Sequence, residues 1–190
     1  MKMIRRKTIL SAFLAFSLIA AYSFGRQKAK ALFEQPALIT SAGQSADGMQ
    51  ASVLAKKAEL KADLAKFAVG KDLENHKALI LVLGASMKGL GAAGIDTNKE
   101  KERIAQLLAE AKKRNIPVLC LHIGGEARRG QLTDEMIGEF LPSAQVAIVV
   151  KSGNKDGIFT KICKEKNIPL IEVEKILDIV GPLKAAFKTQ

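Results

Sequence analysis

Ala78-Leu-Ile-Leu-Val-Leu-Gly84 is an apolar run that ends at a glycine, and a helix-like stretch follows it. The same order recurs at residues 37–43, 116–124 and 145–153. A short apolar run bounded by glycine is typical of a strand that is buried on both faces. Strands that alternate with helices indicate a parallel sheet whose crossover helices cover both faces. We therefore expect an α/β fold with one doubly wound, flavodoxin-like or Rossmann-like sheet of about five mostly parallel strands.

The domain is expected to span residues 36–190, with two well-marked joints between helix and strand. Asn115-Ile-Pro and Asn167-Ile-Pro each follow a basic stretch. Asn is a common left-handed cap at the end of a helix, and Pro is tolerated where a strand begins. In the helix after the first strand, Met49, Val53 and Leu60 share one face. Residues 61–77 are ambiguous and could form a short extra strand.

The first 31 residues have the pattern of an export signal. Residues 1–7 are basic and residues 8–25 carry no charge. A signal peptide has this anatomy, with cleavage sites available after Ser23 or Ala31. The uncharged segment is also nearly long enough to span a membrane, so an uncleaved anchor at residues 8–25 stays open. Both alternatives predict an exported domain, periplasmic or extracellular.

The net charge of +11 comes largely from this leader. Residues 1–30 hold seven of the 30 basic residues and none of the 19 acidic ones, so the domain is only mildly basic. Its acids and bases are mixed along the helices, and a single Tyr with no Trp leaves little surface for stacking bases. We therefore expect no nucleic-acid partner, and contact with a membrane only through the N-terminal segment. The oligomeric state is left open.

Cys120 and Cys163 are the only cysteines of the chain. Cys120 lies within an apolar run and Cys163 on a predicted helix, which favours two buried thiols. A disulfide stays open for an exported protein. Neither cysteine has the spacing of a metal site, and we expect no metal.

Ligands of doubly wound sheets bind at the carboxyl ends of the strands, so the loops there are the candidate site. The first loop, residues 40–48, joins a strand to a helix through small and hydroxylic residues, and its Ser41, Gln44 and Ser45 are candidate donors to an anion. Ser86 and Lys88 are the polar candidates from the second loop, residues 84–94, and we take Ser86 as its ligand-binding residue. That loop matches G-x-G-x-x-G at residues 89–94 but several residues too late for a dinucleotide site. We expect no cofactor.

The third loop, residues 122–130, has the strongest chemical character. His122 ends a strand, where an imidazole can act as acid, base or ligand. Arg128 and Arg129 stand between glycines and suit bidentate binding of a carboxylate or phosphate. From the fourth loop, residues 151–157, we take Ser152 and Asn154 as candidates, although Asn154 could instead cap the next helix.

No catalytic set emerges from these residues, and His122 is the one weak catalytic candidate. The leading hypothesis is noncatalytic binding of a small anionic or polar ligand at the carboxyl edge of the sheet. A small transferase or hydrolase that uses His122 is the first alternative. An envelope module for protein–protein interaction is the second.

Three phrases of the chain resemble those of an uncharacterised bacterial family of exported α/β proteins, known as a domain of unknown function. They are Ala-Leu-Ile-Thr-Ser-Ala-Gly-Gln-Ser from residue 37, His-Ile-Gly-Gly-Glu-Ala-Arg-Arg-Gly from residue 122 and Ser-Gly-Asn-Lys-Asp-Gly-Ile-Phe-Thr from residue 152. The resemblance covers residues 36–187 and implies a single exported domain, without an activity or a catalytic residue.

Overall fold

The computed structural model describes residues 32–189, and these form a six-stranded sheet with every pairing parallel. The strand order is β2-β1-β3-β4-β5-β6. The strands are β1 (Ala37–Ala42), β2 (Ala62–Leu64), β3 (Ala78–Leu83), β4 (Val118–His122), β5 (Val146–Val150) and β6 (Leu170–Val173). The predicted fold class is confirmed. The strand beyond the expected five is β2, a three-residue edge strand inside the segment that the sequence left ambiguous.

Helices cover both faces of the sheet, as the continuous apolar strands require. They are α1 (Asp47–Lys57), α2 (Met87–Ala93), α3 (Thr97–Lys113), α4 (Gln131–Phe140), α5 (Ile158–Lys166) and α6 (Val180–Ala186). One core cluster packs α3, α4 and α5 against the sheet, and the other packs α1 and α6 against the opposite face. All six residues of β3 are buried, because this strand lies between β1 and β4 and under helices on both sides.

The orientation of α1 differs from what its apolar spacing suggests. The helix turns its small residues and Leu54 into the core, where Ala51 and Ala55 are also buried. Met49 and Val53, one helical turn apart, stay 55% and 53% exposed. The predicted helix is therefore present, but two of the three apolar residues that indicated it face away from the core.

The two joints follow the predicted chemistry. Asn115 and Asn167 both have positive φ, 56° and 55°, which confirms their left-handed conformation.

Cys120 and Cys163 are free and buried in one core cluster, and burial raises the pKa of both thiols. The predicted export signal lies outside the described residues. Between residues 32 and 189 the structure contains no helix with the length and apolar character needed to span a membrane.

Candidate functional site

The order of the strands places a switch point between β1 and β3, where doubly wound sheets commonly bind their ligands. The first and second loops close this crevice by pairing with each other. Gln44 and Ala85 form an antiparallel bridge, and the Ser86 amide donates to the Gly43 carbonyl at 2.8 Å. The backbones of the first and second loops therefore meet across the crevice.

A buried carboxylate occupies the anion cradle that the first loop was predicted to form. Glu100, in the first turn of α3, is fully buried. Its Oε1 accepts from the Gly43 amide at 2.8 Å and from the Gln44 side-chain amide at 3.2 Å. The first loop thus has the donors that were predicted for an anion, but the anion that they bind is the Glu100 carboxylate of the same chain.

Arg103 completes this arrangement from one turn further along α3. Its guanidinium forms an ion pair with Glu100 at 2.7 Å and donates to the carbonyls of Ser41 at 2.8 Å and Ala68 at 3.0 Å. Nothing in the sequence marks this pair as buried. A glutamate and an arginine three residues apart on a helix look the same as an exposed pair, such as Glu110 and Lys113.

A second internal carboxylate accounts for Arg128. Asp47, at the start of α1, is buried, and its Oδ2 accepts from Arg128 Nε at 3.2 Å. A methyl group added at Gly84 or Gly124 would stand 2.9 or 2.7 Å from this oxygen, so the carboxylate lies directly over the ends of β3 and β4. Arg128 therefore binds an anion at the carboxyl edge, as its position suggested, and that anion is Asp47.

Arg129 is bound by two further carboxylates. Its Nε donates to Asp134 at 2.6 Å, and its two terminal nitrogens donate to Asp156 at 2.9 and 2.7 Å. The hydrogen bond from Arg129 holds the pKa of Asp156 low, at about 2. A further bond to the Gly153 carbonyl ties the third loop to the fourth. The geometry makes Arg129 a brace between two loops.

His122 is fully buried at the end of β4. Its Nδ1 lies 2.9 Å from the Leu83 carbonyl oxygen, and its Nε2 lies 3.1 Å from that of Gly125. Phe159 packs against the ring, with 5.1 Å between the ring centroids. Burial lowers the pKa of His122 below its ordinary value, although both carbonyls act in the opposite direction. The imidazole is enclosed and lines none of the cavities at this edge.

The lowered pKa of His122 predicts a pH dependence of folding. The unfolded chain binds a proton near pH 6.5, and the folded state binds it only at lower pH. The contribution of His122 to the free energy of unfolding is therefore complete above pH 6.5. It falls as the pH drops below 6.5, by at most about 1.4 kcal/mol per pH unit. Urea unfolding between pH 5 and 8 should show this slope in the parent and in His76→Gln. The slope attributed to His122 should be missing from His122→Gln, and its persistence there would contradict the assignment.

The candidates of the fourth loop lie apart from one another. Asn154 stabilises the start of α5, because its Oδ1 accepts from the Phe159 amide at 3.0 Å. Its amide nitrogen donates to Thr160 at 2.8 Å and Glu172 at 2.9 Å, so the structural alternative accounts for it. Ser152 lines a separate cavity of about 470 Å³, next to Gly125 and Leu177.

Four of the predicted residues do share one cavity, of about 540 Å³, which we call the first-loop cavity. They are Ser41, Gln44, Ser45 and Ser86. The wall also contains two lysines, and its apolar part is formed mainly by Met49, Leu64 and Phe67; the remaining lining residues are Ala46, Gly48, Lys66, Lys88, Gly89, Ala92 and Ala93. No acidic residue between residues 32 and 189 belongs to this lining. The cavity thus carries uncompensated positive charge.

Two of the three serine hydroxyls of this cavity keep a hydrogen atom to donate, because Ser41 and Ser45 share a hydrogen bond in which one donates to the other. Ser45 Oγ accepts from the Asp47 amide at 3.3 Å and lies 3.5 Å from Ser41 Oγ. Ser86 Oγ accepts from the Gly89 amide at 3.1 Å and so caps α2. A hydroxyl that accepts a hydrogen bond still has one O–H to give. Ser41 and Ser45 are also buried, at 4% and 8% exposure, so such a donor would act away from bulk water.

The described part of the chain offers no cluster of His, Cys, Asp or Glu that could hold a metal ion. For a nucleophilic role, Ser45 would need a base within hydrogen-bond reach. The side-chain contacts within residues 32–189 bring it only the Asp47 amide and the Ser41 hydroxyl. Within residues 32–189, Ser45 therefore has no base in hydrogen-bond reach.

Comparisons with known proteins identify the family of the chain and leave its activity open. The profile of a family described as "Domain of unknown function (DUF6305)" matches residues 34–187. A structure described as a lipolytic protein of the G-D-S-L family, from Desulfitobacterium hafniense DCB-2, is 14% identical, with coverage of 72% of this chain and 75% of that one and a TM-score of 0.35. AlinE4, described as an SGNH-hydrolase family esterase, is 12% identical, with coverage of 81% and 82% and a TM-score of 0.29. TM-scores this low carry no argument. No curated protein sequence matches the chain.

Proposed function

This chain belongs to the DUF6305 family, a domain of unknown function, and we propose that it binds a small anionic ligand in the first-loop cavity without catalysing a reaction. One observation carries the proposal. Three serine hydroxyls and two lysines line the same cavity, and no carboxylate of residues 32–189 lines it with them. Hydroxyl and ammonium donors are the groups that carboxylates and phosphates accept from.

Charge favours this cavity over the one beside the two arginines. Arg128 and Arg129 do line a cavity of about 500 Å³. Their guanidinium groups already bind the carboxylates of Asp47, Asp134 and Asp156. An incoming anion would meet two cations that three carboxylates have neutralised, so Coulomb attraction there is weak. Lys66 and Lys88, by contrast, form no salt bridge within residues 32–189.

Equilibrium binding of carboxylates and inorganic phosphate tests this proposal on the domain over residues 32–190. At 100-fold excess over Kd, a ligand of the folded state should raise the free energy of unfolding by about 2.7 kcal/mol. The double variant Ser45→Ala, Lys88→Met should lose most of this stabilisation, because it removes one hydroxyl and one ammonium donor from the cavity.

Two controls locate the site. Lys113→Met removes an exposed lysine at the end of α3 and should leave the affinity unchanged. Arg128→Met should lower stability, because the buried Asp47 loses its partner, yet retain the affinity for the anion. Loss of binding in Arg128→Met with retention in the double variant would move the site to the arginine cavity and overturn the proposal.

We propose further that the domain is exported, on the basis of the basic and uncharged pattern of residues 1–25. The described chain starts beside the amino edge of the sheet, where the Leu32 amide donates to the Ala186 carbonyl at the end of α6. A tether at this point would leave the first-loop cavity at the opposite edge. Fractionation of bacterial cells that express the full chain should recover it outside the cytoplasm, and deletion of residues 1–25 should retain it inside.

A further inference from the structure

The apolar part of the first-loop cavity has no structural role that explains it. Met49 and Phe67, which line the cavity, are 55% and 51% exposed. Val53 continues the same face of α1 one turn beyond Met49 and is equally exposed. The other face of α1 is in the core. Exposed apolar side chains on the outer face of such a helix mark a surface that an apolar part of a ligand or partner can cover.

The polar and apolar groups meet within this single cavity. Leu64, at the end of β2, and Met49, at the start of α1, form apolar wall near the buried hydroxyls of Ser41 and Ser45. Its volume of about 540 Å³ lies within the usual range for sites of small molecules. A fully hydrated inorganic anion would use the donors and leave the apolar wall exposed to water.

We propose that the ligand is an amphipathic acid: a small molecule whose carboxylate or phosphate group carries a short alkyl or aryl chain. The inference rests on the proposed function, since it takes the same cavity and the same anionic group. The serine and lysine donors hold the anionic group, and Met49, Leu64 and Phe67 cover the chain. Burial of each methylene from water strengthens binding by about fourfold.

A series of carboxylates with increasing chain length tests the inference. Acetate, butanoate, hexanoate and octanoate are titrated by calorimetry against the domain over residues 32–190, with octan-1-ol and octylamine as probes that lack the anion. Affinity should rise about fourfold per methylene over the first members and then level off as the chain outgrows the cavity. Octan-1-ol and octylamine should bind at least tenfold more weakly than octanoate.

Two substitutions test whether the alkyl chain of the ligand lies against the apolar wall. Met49→Ser and Phe67→Ser change exposed side chains, so folding is preserved, and together they should flatten the dependence on chain length while acetate binds as before. Met87→Ser is the matched control, because Met87 is 69% exposed on the neighbouring helix α2 and does not line the cavity. It should leave the whole series unchanged.

The outcomes separate this inference from the proposed function. Equal affinity for acetate and octanoate would overturn the inference and leave anion binding intact. Absence of binding by every acid would overturn both. Unchanged octanoate binding in the double variant Met49→Ser, Phe67→Ser would show that the alkyl chain lies elsewhere, and it would overturn the inference. Cosedimentation with phosphatidylglycerol vesicles, lost in the same double variant and without octanoate binding, would assign the surface to a membrane and likewise overturn it.

Discussion

Replacement of Arg103 by methionine should lower the free energy of unfolding by about 3–5 kcal/mol. Arg103 is the charged partner of Glu100, whose side chain is fully buried. Removal of one member leaves a carboxylate in the interior without its counter-ion, and that loss is far greater than the loss of an exposed ion pair. The same change also removes the donors to the carbonyls of Ser41 and Ala68, which connect the end of β1 to the segment after β2.

A second substitution separates charge from packing. Glu100→Gln combined with Arg103→Met removes both charges, while the amide oxygen can still accept from the Gly43 amide. This double variant should recover at least half of the stability that Arg103→Met loses, because no uncompensated charge remains.

Urea unfolding provides the measurement, and the same helix provides the control. Lys113 and Glu110 also form a pair three residues apart on α3, but Lys113 is largely exposed. Lys113→Ala should change the free energy of unfolding by no more than about 1 kcal/mol. Similar losses in Arg103→Met and Lys113→Ala would show that Glu100 is not held as the structure describes.

Gly89→Ala should destabilise the domain by about 3 kcal/mol and should abolish ligand binding. A methyl group at Gly89 would overlap the Gln44 carbonyl oxygen, because the first turn of α2 lies directly against the first loop. Backbone atoms cannot move aside as a long side chain can, so α2 or the first loop must shift. Either shift changes the position of Ser86 relative to Ser41 and Ser45, which line the same cavity.

Gly91→Ala is the matched control for this effect. Gly91 lies in the same helix, two residues further on, and an added methyl group there would meet no atom within 4 Å. Alanine is the better helix former, so Gly91→Ala should raise the free energy of unfolding by about 0.5–1 kcal/mol and keep the affinity. Thermal unfolding and octanoate titration of both variants provide the comparison, and equal behaviour of the two would contradict the described contact.

The fold was readable from the sequence because local pattern and global architecture agree. The apolar run at residues 78–83 is long enough for one strand and has no polar residue to place on a wet face. Only a strand covered on both sides satisfies it, and glycines mark the ends of β1 and β3 while asparagines mark the ends of α3 and α5. The short strand β2 was left ambiguous, since three residues with Asp63 among them carry little periodic signal.

The site could be predicted only in part, because the sequence does not show which distant side chains the fold brings into contact with the loop residues. Position along the chain showed that Ser41, Gln44, Ser45 and Ser86 would meet at one edge, and the structure brings them to one cavity. Position could not show that acids distant in sequence would reach the same edge. Glu100 lies 57 residues from Gly43, and Asp47 lies 81 residues from Arg128.

The sequence by itself therefore determined the architecture of the chain and the edge of the sheet where polar groups collect, because hydrophobic periodicity and turn chemistry act over a few neighbouring residues. Only the tertiary structure decided which anions are internal. The carboxylate of Glu100 binds donors of the first loop, and the carboxylate of Asp47 binds Arg128 of the third loop. His122 is buried in the core. The hydroxyl and ammonium donors that have no internal anion among residues 32–189 line the first-loop cavity, beside Met49 and Phe67. The reason is that burial and ion pairing depend on which distant residues the packed sheet brings together.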